Sequence, residues 1–364
     1  MAVSTESRTG TPATEPSLRG RKLPQWALPA LAVAAVLITA LLWATTGFAG
    51  RAGFAVFAVL VFLIVQTGMS FGVEGRRQAV DRLFTTLVGI AFLLAAAPLV
   101  LIIWYTVKEG AGALSGTFLT HSMFRINPEG PGGGIYHAIV GTLIQSALAT
   151  VIAAPLGVLA AIYLVEYGGR RRFARAVSFF VDVMTGVPSI VAGLFVYAFW
   201  ILALGFQKSG FAGSLALLIL MLPVIIRSSE EMLKLVPNEL REASYALGVP
   251  KWRTIVSVVL PTAVGGIVTG IMLGVARIMG ETAPLLLLVG TNQKIEFNPF
   301  AGATDPVPQE SLPTFIFEQF QAAAGNTDSD AFKRAWGAAL VLIIIIGLLS
   351  AAARLIARFA RVRG

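Results

Sequence analysis

Two charged residues stand where charge is costly. Arg277 and Glu281 lie in GGIVTGIMLGVARIMGETAP, inside an apolar run that extends over 262–289. Gly266, Gly270 and Gly274 recur every four residues, so they share one side of a helix and let a neighbouring backbone come close. Arg277 follows Gly270 by seven residues and Glu281 follows Gly274 by seven, nearly two turns, so the spacing predicts both charges on the glycine face. An arginine or aspartate at the centre of a membrane helix costs about 2.5–3.5 kcal/mol, and such residues usually line polar cavities. The guanidinium fork matches oxyanion geometry, so Arg277 suits contact with a translocated anion. Two other readings stay open: an i,i+4 ion pair that only fixes helix packing, and a Glu281 at the outer end of a helix closed by Pro284. Arg227 ends another apolar run and by position alone is the positive residue expected at a cytoplasmic helix end.

The elements that must position these residues are membrane helices. The chain of 364 residues is 56% hydrophobic and 13% charged, against roughly 25% charged in soluble domains. Apolar runs fall at about 26–46, 53–72, 82–107, 136–166, 177–204, 211–226, 262–289 and 336–360, most of them near the 20 residues a spanning helix needs. With both ends cytoplasmic, the inner segments 1–24, 73–82, 167–176, 227–256 and the end from Arg354 hold 20 Lys and Arg, against 7 in the longer outer segments. That asymmetry is the positive-inside bias, and it accounts for a net charge of +9 without nucleic acid. The expectation is an all-α integral membrane protein of eight spans with both termini cytoplasmic. Residues 1–24 read as a disordered basic tail and 25–75 as a helix pair ahead of a domain over 76–364. Gly47-Phe48-Ala49 resembles a signal cleavage site, but the run before it is longer than such signals carry.

Other chemistry finds little footing. The chain has no cysteine, which excludes disulfides and thiolate sites. His121 and His137 flank a glycine-rich loop, NPEGPGGG at 127–134, with no carboxylate cluster to complete a metal site. That loop and 290–335, with its FIFEQFQAA segment, read as outer surface. Asp182, Thr185, Pro188 and Ser189 interrupt the fifth run, where Pro188 predicts a kink. Gln145, Ser146 and Pro155 interrupt the fourth and suit interhelical hydrogen bonds.

Between the sixth and seventh runs lies a polar stretch. Ser228 and Glu231 have capping-box spacing, and a further helix is expected over about 238–247, stopped by Gly248 and Pro250. Its face of Leu240, Ala243, Ser244 and Leu247 must dock, because a helix of about ten residues is marginal alone. The partner is either the protein's own helix ends and lipid surface or a cleft on a separate protein.

Glu242, Ala243, Ser244, Gly248, Leu260 and Pro261 resemble the EAA motif of ABC-importer permeases, E-A-A-x3-G-x9-I-x-L-P. Ser244 replaces the second Ala and Val258 the Ile. GVPSIVAGLF, LPVIIRSSEEMLKLVPNELREASYALG and ARIMGETAPLLL are similar to the PstA-type permeases of phosphate importers, a likeness covering about 82–363. It implies a type I importer core of six helices, to which the first two spans are an addition. It implies that Glu242, Ala243, Ser244, Gly248, Leu260 and Pro261 belong to a cytoplasmic coupling region, within 227–256, that sits in a groove of an ATP-binding subunit. Arg227 and Arg277 match arginines implicated in phosphate passage, with Glu281 beside the second. The implied partners are a second homologous permease, two ATP-binding subunits and an external phosphate-binding protein, in a bacterial cell membrane.

The sequence has no G-x-x-x-x-G-K-[ST] loop, so ATP and Mg are expected on the partner subunit and no cofactor in this chain. A permease for sulfate or molybdate remains the alternative, because arginine alone does not choose among oxyanions. A membrane enzyme or a scaffold is disfavoured by the lack of any DxxD, HExxH or GxSxG cluster and by the charges on a glycine-lined face.

Overall fold

The computed structural model describes residues 23–24, 26–46, 50–169, 171–301 and 308–362. All but two residues of the expected N-terminal tail lie outside that set, as does 302–307 in the long outer loop. The described residues are helical and contain no strand. They form two compact units, Met1–Ile102 and Ile103–Gly364.

In the first unit, α1 (Ala27–Thr46) and α2 (Arg51–Glu74) pack on each other as a hairpin, and α3 (Arg76–Gly110) follows. Gln66 on α2 donates to Thr86 Oγ1 (2.8 Å), and Glu74 binds Arg82 (2.7 Å) and Ser70 (2.7 Å). The Gln66–Thr86 and Glu74–Arg82 bonds hold α2 to the first turns of α3, because polar groups in apolar surroundings find one another.

The second unit is built on α8 (Gly210–Lys234), the most enclosed of the long helices, with 61% of its apolar window covered. Around it stand α5 (Tyr136–Ile162, continued as a π-helical stretch to Gly168), α11 (Leu260–Met279) and α14 (Asp330–Val362). Ala149 and Ala153 of α5, Leu217, Met221 and Ile225 of α8, and Ile278 and Met279 of α11 form the main core. Alanine and glycine at the crossings let the backbones approach: a side chain at Gly157 would meet Ile225, and one at Gly274 would meet Met221. Short pieces complete the unit: α4 (Gly116–Thr120), α6 (Arg172–Thr185), α7 (Ser189–Val196), α9 (Asn238–Ala246), α10 (Lys251–Thr254), α12 (Ala283–Leu288) and α13 (Leu312–Ala323).

Among the described residues, seven helices are long and apolar enough to cross a membrane. The eighth expected span is not one kinked helix. It is the pair Arg172–Thr185 and Ser189–Ala203, bent by 108°. Gly186 and Pro188 cause the break, since Pro188 removes a donor and excludes helical geometry from the residue before it.

Three other expectations change. The helix α8 does not end at Arg227 but runs on to Lys234, so the polar connection begins about two turns later than 227. Nothing in RSSEEMLK breaks a helix, and the pairs Arg227–Glu230 and Glu230–Lys234 staple that turn. Ser228 is therefore not a cap; its hydroxyl donates to the Val224 carbonyl (2.8 Å). At the other end of the motif region, α11 stops at Met279. Pro284 cannot donate to Gly280 and would crowd its carbonyl, so a new short helix starts at Ala283 instead.

Candidate functional site

The early end of α11 separates Arg277 from Glu281. Arg277 sits in the last turn, while Glu281 lies beyond the C-cap Gly280 with its backbone N–H on the Ile278 carbonyl (3.1 Å). Among the described residues the two form no ion pair, so the i,i+4 pair is corrected. The glycines pack against a neighbouring helix, as their spacing predicts, but without the arginine. A side chain at Gly266 would meet Met232, and one at Gly270 would meet Ser228. That face is filled by α8, and Arg277 is exposed beside it.

Arg227 carries the denser network. Its guanidinium donates to Glu230 (2.5 Å), to the Ser178 hydroxyl (2.9 Å) and carbonyl (3.1 Å), and to Asp182. Ser178 and Asp182 belong to α6, so this one side chain ties α6 to the central helix. Two carboxylates surround one guanidinium here, and in this arrangement Arg227 presents no free fork to an anion. The Asp182 side chain is 64% exposed, so it is the partner that solvent or a solute reaches first.

The coupling motif sits on α9 and the two pieces after it. Pro237 precedes α9, and Gly248 ends it at φ +75°, the left-handed geometry that glycine adopts without strain. Glu242 and Ala243 are exposed, whereas Ser244 is buried and shares a 2.8 Å hydrogen bond with Thr254 on α10. Leu260 and Pro261 follow the π-helical stretch Ile255–Val259 and open α11. The whole segment Lys251–Met279 is thus one span that joins the motif directly to Arg277. Of the expected docking face, Leu240, Ala243 and Leu247 are uncovered, and Leu247 is 83% exposed. Leu235 and Trp252 are exposed nearby in sequence. The protein's own helix ends do not cover this face.

What holds α9 in place is Arg241, which the sequence reading passed over. It donates to Glu166 at the end of α5 (3.1 Å), to the carbonyls of Leu233 (2.9 Å) and Val236 (2.6 Å), and to Asn238 (3.2 Å). Lys251 donates to the Glu166 carbonyl and lies 5.0 Å over the Tyr167 ring. These bonds tie α9 to the ends of both α5 and α8. Arg241 stands next to Glu242 in the motif, which was a signal; its partner Glu166, 75 residues away, was not.

The two histidines do not converge on a metal. His121 contacts Thr120 (3.1 Å), and His137 Nε2 lies 3.2 Å from Glu310. Among the described residues no three His, Asp or Glu side chains gather in a ligating set.

A family of known proteins matches this arrangement of helices and motif. The binding-protein-dependent transport system inner membrane components match residues 153–362. The chain belongs to that family. Among relatives, the phosphate transport system permease protein PstA 1 of Mycobacterium tuberculosis is 49% identical over 289 residues, covering 79% of this chain and 90% of its own length. The PstA of Mycobacterium leprae is 48% identical over 286 residues, covering 78% of this chain and 91% of its own. The Yersinia pestis PstA is 41% identical over 258 residues, covering 71% and 83%. A chain of the MetNI methionine ABC transporter aligns at a TM-score of 0.46 and 22% identity, covering 62% of this chain and 94% of that one. The resemblance to PstA-type permeases read from the motif is borne out, and this chain is a multi-pass inner-membrane permease.

Proposed function

We propose that this permease is the membrane-spanning subunit of an ATP-driven importer of inorganic phosphate. The observation that carries the reading is the exposed apolar tip of α9, fixed by Arg241 to the two helices that line the main core. The relatives at 41–49% identity supply the solute. The ATP-binding subunit seats Leu247 and the exposed side of Glu242 and Ala243 in its groove, and ATP and Mg are bound there. Two such subunits, a second homologous permease and an external phosphate-binding protein complete the assembly. Both termini face the cytoplasm, in keeping with 20 Lys and Arg on that side against 7 outside.

In this mechanism closure of the ATPase pair moves α9, and Arg241 carries the movement to α5 and α8. The bundle then alternates between inward and outward exposure of one pathway. Arg227 acts as a latch between α6 and α8: when α6 moves away, Ser178 and Asp182 leave and the Nη2 side of the guanidinium opens to an anion, while Glu230 keeps Nη1. Arg277, at the end of the span that carries the motif, is the second positive contact, with Glu281 past the helix end limiting the net charge there.

The test is co-purification of an ATP-binding subunit with this permease. Wild type should retain it, and both deletion of 238–250 and the single change Leu247→Asp should lose it while the helical bundle stays folded. Retention by both variants removes α9 as the docking element. Transport by Arg277→Lys at the wild-type rate removes the role given to the guanidinium fork. Sulfate or molybdate is the second reading, since neither Arg227 nor Arg277 distinguishes these oxyanions.

A further inference from the structure

A second cluster of charge lies between α5, residues 290–293 and 308–311, and α13. Its centre is Glu310, whose side chain is 3% exposed and whose Oε1 has no hydrogen-bond partner apart from the neighbouring Glu318 carboxyl, which can bond to it only when one of the two is protonated. Buried polar atoms in native proteins are rarely left in that state, because desolvation without a replacement bond is costly. Glu310 is held there firmly. Gln145 donates to the Gln309 carbonyl (2.9 Å), and the Leu312 N–H donates to Thr142 Oγ1 (2.7 Å), so the chain on both sides of Glu310 is pinned to α5. Gly141 leaves no room for a side chain against the Glu310 carbonyl.

Glu310 does not stand alone. It and Glu318 of α13 line one half-open cavity of about 280 Å³, together with Gln293, Gln319, Gln321 and Phe315. Among the described residues no Lys or Arg pairs with either carboxyl. Of the other polar groups facing the pair, the Asn292 side-chain amide nitrogen and the His137 ring have no hydrogen-bond partner. Arg334 of α14 is bound to Gln319 and to the carbonyls of Pro128, Gly130 and Gly132. The Asn292 N–H reaches Glu310 Oε2 at 3.4 Å, and His137 Nε2 lies 3.2 Å from the same oxygen without hydrogen-bond alignment. The cavity thus holds two carboxyls among neutral amides, with no positive charge paired to them, and is open on one side.

We propose that Glu310 and Glu318 form a receptor for one ammonium or guanidinium group, carried by a small free amine or by a Lys or Arg side chain of a docking protein. Such a group supplies the positive charge the cavity lacks, and its several N–H donors can reach both carboxyls at once. The cavity is below the roughly 300–1,000 Å³ of ordinary small-molecule sites, which suits a single side chain or its equivalent. A bare metal ion fits less well, because no third carboxylate or imidazole joins the two carboxyls in a ligating set. The empty cluster holds protons in the cation's place: burial first, and for Glu318 also the charge of Glu310, pushes both carboxyls up to about 8. That this face is the outer one rests on the orientation proposed above; the binding chemistry does not.

The test uses the full-length permease in nanodiscs, with glutamate isotope-labelled and its protonated-carboxyl infrared band followed at pH 6–7. Methylguanidinium chloride is the free-cation probe, choline chloride is a cation without N–H donors, and MgCl₂ is the metal arm. The proposal expects methylguanidinium to remove the band saturably, choline at equal ionic strength to leave it, and Glu318→Gln to weaken the half-saturating concentration roughly tenfold. Glu310→Gln should abolish the response, and the more exposed Glu318→Gln keeps the test valid if that variant misfolds. If a docking protein is the natural source, the external binding protein removes the band more completely than the free probe, and does so no longer once its Lys and Arg are chemically blocked. The proposal is overturned if neither methylguanidinium nor the binding protein acts, if choline acts equally, if only Mg²⁺ acts, or if both Glu variants respond as wild type. Phosphate uptake is not the readout, so failure here leaves the transport reading standing.

Discussion

Replacing Arg241 by alanine tests the transmission of force most sharply. The guanidinium lies between Glu166, Asn238 and two carbonyls at the end of α8, and the Arg241 and Glu166 side chains are 12% and 5% exposed. Removing one partner of a buried ion pair costs about 3–5 kcal/mol, because the other charge is left desolvated. Taking the lower end, about 3 kcal/mol, the docked arrangement of α9 loses roughly 150-fold in its equilibrium against undocked ones. The Ser244–Thr254 bond and the Lys251 contact remain, so α9 still exists and still offers Leu247 to the ATPase. The expected result in proteoliposomes is therefore uncoupling: ATP hydrolysis within about twofold of wild type and phosphate uptake down by tenfold or more, an amount well inside that 150-fold loss. Glu166→Gln, which keeps an acceptor without the charge, should fall between the two. A wild-type ratio of phosphate moved to ATP hydrolysed in Arg241→Ala would refute the lever.

Other consequences follow from the same geometry. Asp182→Asn removes the exposed partner of the Arg227 latch; stability should change by less than about 1 kcal/mol, while ATP-independent phosphate efflux from loaded liposomes rises. Gly270→Val places a side chain against Ser228 where α11 meets α8, so the melting temperature should fall by an amount equivalent to about 1–3 kcal/mol, whereas Gly72→Ala, with open space around it, should be nearly neutral. Glu310 and Glu318 are raised from 4.5 to about 8, so the folded layer holds more protons than the unfolded chain between those values. Its stability is fully present below pH about 4.5 and is lost as pH rises through about 8. Amide-exchange protection of α13 should decline over that window in wild type and less steeply in Glu318→Gln.

The parts legible in the sequence were those written in local spacing. Hydropathy gave the helices, and Pro237, Gly248 and Pro250 bounded α9 to within a residue. Local spacing also misled where a neighbouring residue changed the backbone. Arg277 and Glu281 have an i,i+4 separation, but Pro284 stops the helix between them. Ser228 and Glu231 have capping-box spacing, but the preceding turns were already helical and the helix passed through them. What the sequence hid was pairing at long range. Arg227 meets Asp182 across 45 residues, Arg241 meets Glu166 across 75, and His137 meets Glu310 across 173. No periodicity encodes those contacts, because they depend on which helices pack together.

The most direct measurement is uptake of labelled phosphate by proteoliposomes that contain this permease, its partner permease and the ATP-binding subunit, with the binding protein outside the membrane face opposite the ATPase. The account predicts accumulation that requires ATP, is lost with Leu247→Asp, and persists in the presence of excess sulfate or molybdate. Accumulation without ATP, or preferential transport of sulfate or molybdate over phosphate, would contradict it.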